Sequence, residues 1–565
     1  MTHDSFATHL RLPGAVCFCW LLLACPLTVI AQEHADLLLT EAKIHTLDGN
    51  LPSASVLAIR GERIIHVGND VPAELRGPQT VEIKLAGKTV VPGFIDAHCH
   101  PRPIYPPDAP WYVVECGPEK VRSLDELIAA LKAKADRTPA GEWVTGTNYQ
   151  ETFLGRHPTR HDLDQASTRH PILITHSSGH RSVANSHALE LAKVTRDTKS
   201  PMGGEIDKDA TGEPTGILKE SATGLVRRAG PKSTQQPTPE QKIAAYRQCL
   251  EEYLAAGITG IHIAGTGADT VAIIQEAQAE APVRCYVMLR EGDLKEAVWR
   301  KRAQPAGTPL VRYGAIKLYH GNSLSGQTCW LSQPYERRPD DFGVPPARTQ
   351  EELNALIEKI HLAGLQACVH ANGDREIDML LTAFEQVLER HPRADHRHRI
   401  EHCSVVTAEI LARIKKLELV IAPHSYIYEH GDKMEAYGAW RWKWMHPNRA
   451  LFDLGVTVAG NSDSPVSAAR PLLRMQDLVR RESFAGKIYG AEQCISPEQA
   501  LASWTIHSAR GGFGEATTGS LEVGKYADLV VLGADPLEVP TDKIKDIIVE
   551  RTYVGGNLAY QAAKP

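Results

Sequence analysis

Two histidines separated by one residue close a short apolar run in VVPGFIDAHCH, residues 90–100. In a strand, alternation sends His98 and His100 to one face and Cys99 to the other. A lone histidine carries little information in a chain that has 25 of them. The signal is how the later ones fall. Lys317 in GAIKLYH, His370 in LQACVHANG, His402 in HRIEHC and Asp463 in VTVAGNSDSP each sit in or near the end of a further apolar run. Imidazole and carboxylate groups are the donors expected of zinc and similar divalent ions, and such an ion acidifies water and polarises a carbonyl. A lysine ammonium cannot ligate. A lysine carboxylated by CO2 presents a carboxylate, so Lys317 can bridge a pair of ions; an ion-paired lysine inside the fold is the alternative. Asp96 points with the two histidines and suits a supporting role beneath them.

These residues need a scaffold that brings many strand ends to one place. Candidate strands are VVPGFIDAH, GITGIHIAG, VRCYVMLR, GAIKLYH, LQACVHANG, HRIEHC, LVIAPHSY and VTVAGNSDSP. Helical segments separate most of them, several with capping-box starts: Ser123 with Glu126, Thr238 with Gln241, and Thr349 with Glu352. The pattern predicts an α/β fold, a (β/α)8 TIM barrel with its site at the C-terminal strand ends. The stretch from His100 to Ile258 is too long for one connection and contains the strand-like WVTGTNY and PILITHSSGH. It predicts a subdomain inserted after the first strand, about 101–236, with PKSTQQPTPE as its exit linker. Short alternating strands at both ends predict a small β-sandwich domain built from 32–90 and 514–565, leaving 91–513 for the barrel.

Composition fits a globular chain: 565 residues, 42% apolar and 23% charged, with a formal net charge of -6. That balance argues against a nucleic-acid partner, which needs a concentrated basic face. At the N-terminus, Arg11 precedes an apolar run from Ala15 to Ile30, and Val29 and Ala31 are small. This reads as a secretory signal peptide, 1–31, cleaved after Ala31, with the mature protein secreted or periplasmic. A second reading makes Cys25 a lipoprotein cleavage site. No later segment is long and apolar enough to cross a bilayer. Of eleven cysteines, those beyond the signal region form no CxxC pair, and buried apolar roles are expected.

Here a resemblance enters. VVPGFIDAHCH resembles the opening metal motif of the amidohydrolase superfamily, and TGSLEVGKYADLVVL its closing segment. Between them SSGHRSVANSHAL, GEPTGILKES, VHANGDREID, RIEHC and GNSDSPV are similar, in order, to the family-3 branch that includes N-substituted formamide deformylases. The match runs from about Ala35 to Val554. The resemblance implies a metal-dependent amidohydrolase that cleaves an amide-type C–N bond of a small molecule by attack of a metal-bound hydroxide. It implies one or two divalent ions, zinc first among them. His98 and His100 would hold the more buried ion with Asp463 beside it, His370 and His402 the second, and carboxylated Lys317 would bridge. Asp463 would also take the proton from the attacking group and pass it to the leaving nitrogen. Family members commonly carry Asp-Gly-Ser after the bridging lysine. This chain has HGNSL instead, which removes an acid, introduces His320 and leaves the substrate open. His180, Tyr319, His320, His424 and Tyr426 are the candidates for substrate contact, and Trp440, Trp442 and Trp444 for an apolar lid. The alternatives are a mononuclear deaminase or other hydrolase on the same barrel, and an inactive binding relative; association into a homo-oligomer is open.

Overall fold

An apolar run flanked by capped helices satisfies its backbone by lying between parallel neighbours while the helices carry the chain back. The computed structural model describes residues 34–563 apart from 119, 231–235, 305–309 and 425. The signal segment and Cys25 lie outside the described residues, as does half of PKSTQQPTPE.

All eight runs form one parallel sheet. Its strands are Phe94–Cys99, Ile258–Thr266, Arg284–Arg290, Val311–Tyr319, Gln366–Ala371, Arg399–His402, Val420–Pro423 and Thr457–Val458, each paired with the next. The sheet curls until its ends meet. Ala97 N donates to Gly460 O at 2.9 Å, Asp463 N to His98 O at 2.9 Å and His100 N to Ser464 O at 2.8 Å. These bonds tie the end of the first strand to the segment after the last. The caps form at the positions the sequence marks. Thr238 and Thr349 each exchange hydrogen bonds with Gln241 and Glu352. Ser123 accepts from Glu126 N, but the Glu126 carboxylate reaches Arg122 N instead.

The strand break differs from the sequence reading. Thr89–Pro92 pairs with Leu529–Leu532 and Lys43–His45, so VVP belongs to the terminal sheets and the barrel strand begins at Phe94. Gly93 makes the crossing. Its N–H donates to Asp528 O, and a Cβ there would lie 2.1 Å from Thr259 Oγ1. An unbroken apolar run gives no sign of such a handover.

Strands from both termini build two mixed sheets, of four and six strands, whose facing sides share Leu39, Ile44, Leu57, Val90, Leu529 and Val531 in one apolar layer. The long insertion contributes a separate six-stranded sheet. Helix Leu124–Ala135 packs on one of its faces and helices Ser186–Leu191 and Thr223–Ala229 on part of the other. The eight described cysteines are all unpaired, seven of them buried. No described helix is long and apolar enough to cross a membrane.

Candidate metal centre

His98 is fully buried, and a buried imidazole needs its polar atoms matched. Its Nδ1 lies 2.5 Å from Glu401 Oε2. Glu401 in turn accepts from Arg399 Nε at 2.8 Å and Nη2 at 2.9 Å. Arg399 also donates to Ala97 O at 2.7 Å. The chain of bonds fixes His98 with Nδ1–H toward Glu401 and Nε2 bare, 3.4 Å from Lys317 Nζ and 3.6 Å from Asp463 Oδ1. Burial, and then the charge of Lys317, push its pKa down to about 4, so the ring is neutral, the form that ligates. Burial alone would raise Glu401, but Arg399 and His98 outweigh it and bring the carboxyl to about 2. A carboxylate that orients a ligating histidine in this way is a recurrent support of metal sites.

Arg399 and Glu401 point inward by alternation, which would send His402 out. A left-handed φ of 74° at His402, followed by 47° at Cys403, breaks the alternation. The His402 ring consequently lies 4.9 Å from that of His98 and 4.5 Å from that of His370. Asp463 adopts a left-handed φ of 52° as well. Backbone strain of this kind costs about 1–3 kcal/mol per residue and gathers at active sites.

Asp463 occupies the middle. Its Oδ1 is 3.2 Å from His100 Nε2, and its Oδ2 is 3.9 Å from His402 Nδ1 and 4.0 Å from His424 Nδ1. Two groups of three donors result, His98–His100–Asp463 and His402–His424–Asp463, each with its donor atoms within 4.8 Å of one another. Burial would raise the Asp463 carboxyl, but the His100 hydrogen bond and the charges of His98, His100 and His424 hold it well below the usual carboxylate range. Beneath it, Asp96 accepts from Ser462 N, Ser462 Oγ and His98 N, which pins the Asp463 loop to the first strand.

The second group shows why a cation suits it. The His402 and His424 rings stack 4.1 Å apart with 12° between planes. Their buried Nδ1 atoms have no hydrogen-bond partner among the described residues, and both approach the same carboxylate at more than hydrogen-bond range. Unmatched buried nitrogens are costly. A shared divalent ion, with ligand bonds of about 2.0–2.2 Å, would satisfy both nitrogens and the carboxylate together. The donors present fit one or two such ions.

The remaining sequence candidates separate. Lys317 is buried and unpaired with any described carboxylate, its Nζ 4.4 Å above the Tyr319 ring; burial lowers its pKa. His370 stands beside His402, but its Nε2 lies 2.9 Å from Asn322 O, and it joins neither group of three. His424, read from the sequence as a substrate contact, does join one. Its place immediately after strand Val420–Pro423 was the available signal. Glu401 was missed, although its spacing from Arg399 marks an inward pair. His180 reaches the site from the insertion. Its ring stacks on His370 at 5.0 Å and its Nδ1 sits 2.7 Å from Glu220 Oε2. Tyr319 is half-exposed at the end of its strand, and Tyr426 packs 4.0 Å from His424. His320 is buried outside both groups, with neither ring nitrogen partnered among the described residues. Of the three tryptophans, Trp442 bonds Met434 O, Trp444 packs on the main core and Trp440 alone is exposed.

The chain as a whole is similar to known proteins. The profile of the amidohydrolase family matches residues 81–560. An N-substituted formamide deformylase from Arthrobacter pascens is 29% identical over 549 residues, 94% of this chain and 99% of that protein. Protein LONG AFTER FAR-RED 3 from Arabidopsis thaliana is 28% identical over 94% of this chain and 93% of its own length. Among solved structures, an uncharacterized metal-dependent hydrolase from Pyrococcus horikoshii OT3 superimposes with a TM-score of 0.68 at 27% identity, covering 90% of this chain and 99% of that one.

Proposed function

The chain belongs to the amidohydrolase family, and we propose that within it this hydrolase cleaves the C–N bond of a small amide-type substrate. Metal dependence and action on a polar C–N or C–O bond come with the family and the donor groups. The observation that carries the reading is the Asp463 carboxylate set between two sets of histidine nitrogens. The likeness to a formamide deformylase directs the choice of bond.

His98 and His100 would hold one ion with Asp463, and His402 and His424 the other, with His370 alongside. Lys317, buried without a carboxylate partner, is suited to be the carboxylated bridge. Zinc is the ion we assign, on the donor types alone. Bound there, a divalent ion supplies Lewis acidity, polarising the carbonyl and acidifying water. Asp463 would accept the proton of the attacking water on a carboxylate oxygen and return it to the leaving nitrogen. His180, oriented by Glu220, would present its remaining ring nitrogen to the substrate. His320, Tyr319 and Tyr426 would bound the pocket. The Arg11 and Ala15–Ile30 signature supports secretion or a periplasmic location.

The test is a panel of formamides, N-acyl amino acids, dipeptides and cyclic amides. At least one class should be hydrolysed, hydrolysis should cease after chelation, and added zinc should restore it. Turnover that survives exhaustive chelation would remove the metal from the account.

A further inference from the structure

The face of the insertion sheet opposite helix Leu124–Ala135 carries a row of three hydroxyls, of which Ser182 is fully buried. Thr175 pairs with Ser182 across strands Ile172–His176 and Arg181–Ala184, and Gly146 pairs with Ile174 on the other side. By alternation Thr147, Thr175 and Ser182 share one face, while Val144, Ile172, Ile174 and Val183 fill the apolar layer behind. On the hydroxyl face, Leu173, Ala184 and Leu218 are covered by Ala188 and Val226 from the two short helices.

Two guanidinium groups bracket the row. Arg102, two residues beyond His100, donates from Nη1 to Thr147 Oγ1 at 3.0 Å. Arg227, in helix Thr223–Ala229, brings Nη2 to 3.5 Å from Ser182 Oγ. Neither has a carboxylate at ion-pair distance among the described residues, and both side chains are accessible. Glu115 acts on Arg102 from a distance, but its carboxylate is already taken by Gly117 N and Asn148 Nδ2. Arg102 follows the His100 donor by two residues, which sets its end of the row next to the metal donors in the chain. Two cations on one face of the sheet, with no described carboxylate in ion-pair contact, repel one another, and an anion relieves that cost.

We propose that Arg102 and Arg227, with the partly exposed Thr147 and Thr175 between them, form a carboxylate-binding subsite, so that the substrate is an amide bearing a carboxylate, of the N-acyl amino acid class. The planar guanidinium fork matches a carboxylate in two-point hydrogen bonding, which a lysine does not. The assignment rests on the amidohydrolase reading above and adds the acid end of the substrate.

The test uses the zinc-loaded protein and two sulfonamides it cannot hydrolyse, N-methylsulfonylphenylalanine and its neutral carboxamide. Calorimetry should show the acid binding at least about 10-fold more tightly than the amide. Arg102→Gln with Arg227→Gln should weaken the acid about 100-fold and leave the amide unchanged. Both side chains are accessible, so circular dichroism of the double variant should match the parent. Arg227→Gln alone should give part of the loss. Equal binding of acid and amide, an acid preference that survives the double substitution, or binding of neither probe would overturn the assignment. Because no turnover is involved, the hydrolase reading stands or falls separately, on the substrate panel.

Discussion

Asp463→Asn should lower turnover by at least about 1,000-fold while the protein remains folded. The carboxylate is the one group shared by both donor triads, and asparagine keeps its shape while removing its charge. A neutral amide oxygen is a poorer ligand and cannot shuttle a proton, so two roles fail at once. The fold has less to lose. Asp463 closes no apolar packing, and the loop that carries it is held by backbone bonds to the first strand and by Asp96. Initial rates on the best substrate of the panel, with circular dichroism and metal content of the same sample, check the prediction. Activity within tenfold of the parent would remove Asp463 from the chemistry.

Glu401→Gln should strike stability and metal binding together. Arg399, Glu401 and His98 are all fully buried, and among the described residues this carboxylate alone hydrogen-bonds both of the others. Glutamine leaves Arg399 as an uncompensated buried cation, a defect of about 3–5 kcal/mol. It also frees the His98 ring to turn, and loss of such an orienting carboxylate typically weakens metal affinity about 10–100-fold. The pH dependence has a definite sign. The folded-state carboxyl is depressed to about 2 from an ordinary 4.5. Its stabilisation is therefore fully present above the ordinary value and is lost as pH falls through the folded one. Urea unfolding of metal-free protein should show stability falling between these limits in the parent, with a shallower fall in the variant. Equal unfolding midpoints at neutral pH would contradict the account.

The sequence made the barrel legible because parallel strands buried on both faces appear as apolar runs, and the helices between them carry their caps in plain view. The handover at Gly93 was hidden because VVP and FIDAH are equally apolar, and only pairing partners distant in sequence divide them. Within the site, His98 and His100 followed from simple alternation. His402 was named from its place at a strand end and from RIEHC, whereas alternation alone would have turned it outward, because a left-handed residue reverses the face. His424 was visible as a strand-end residue, but its role depends on where the Asp463 loop arrives. Arg102 and Arg227 are read as a pair only once the insertion sheet sets Thr147 and Ser182 on either side of Thr175.

The central claim is that Asp463 and the histidines around it hold metal. Metal analysis of purified protein, equilibrated with zinc and freed of excess, tests it most directly. The account predicts one or two divalent ions per chain, reduced when His98 or His424 is replaced by alanine. A folded parent protein that retains no ion would contradict it.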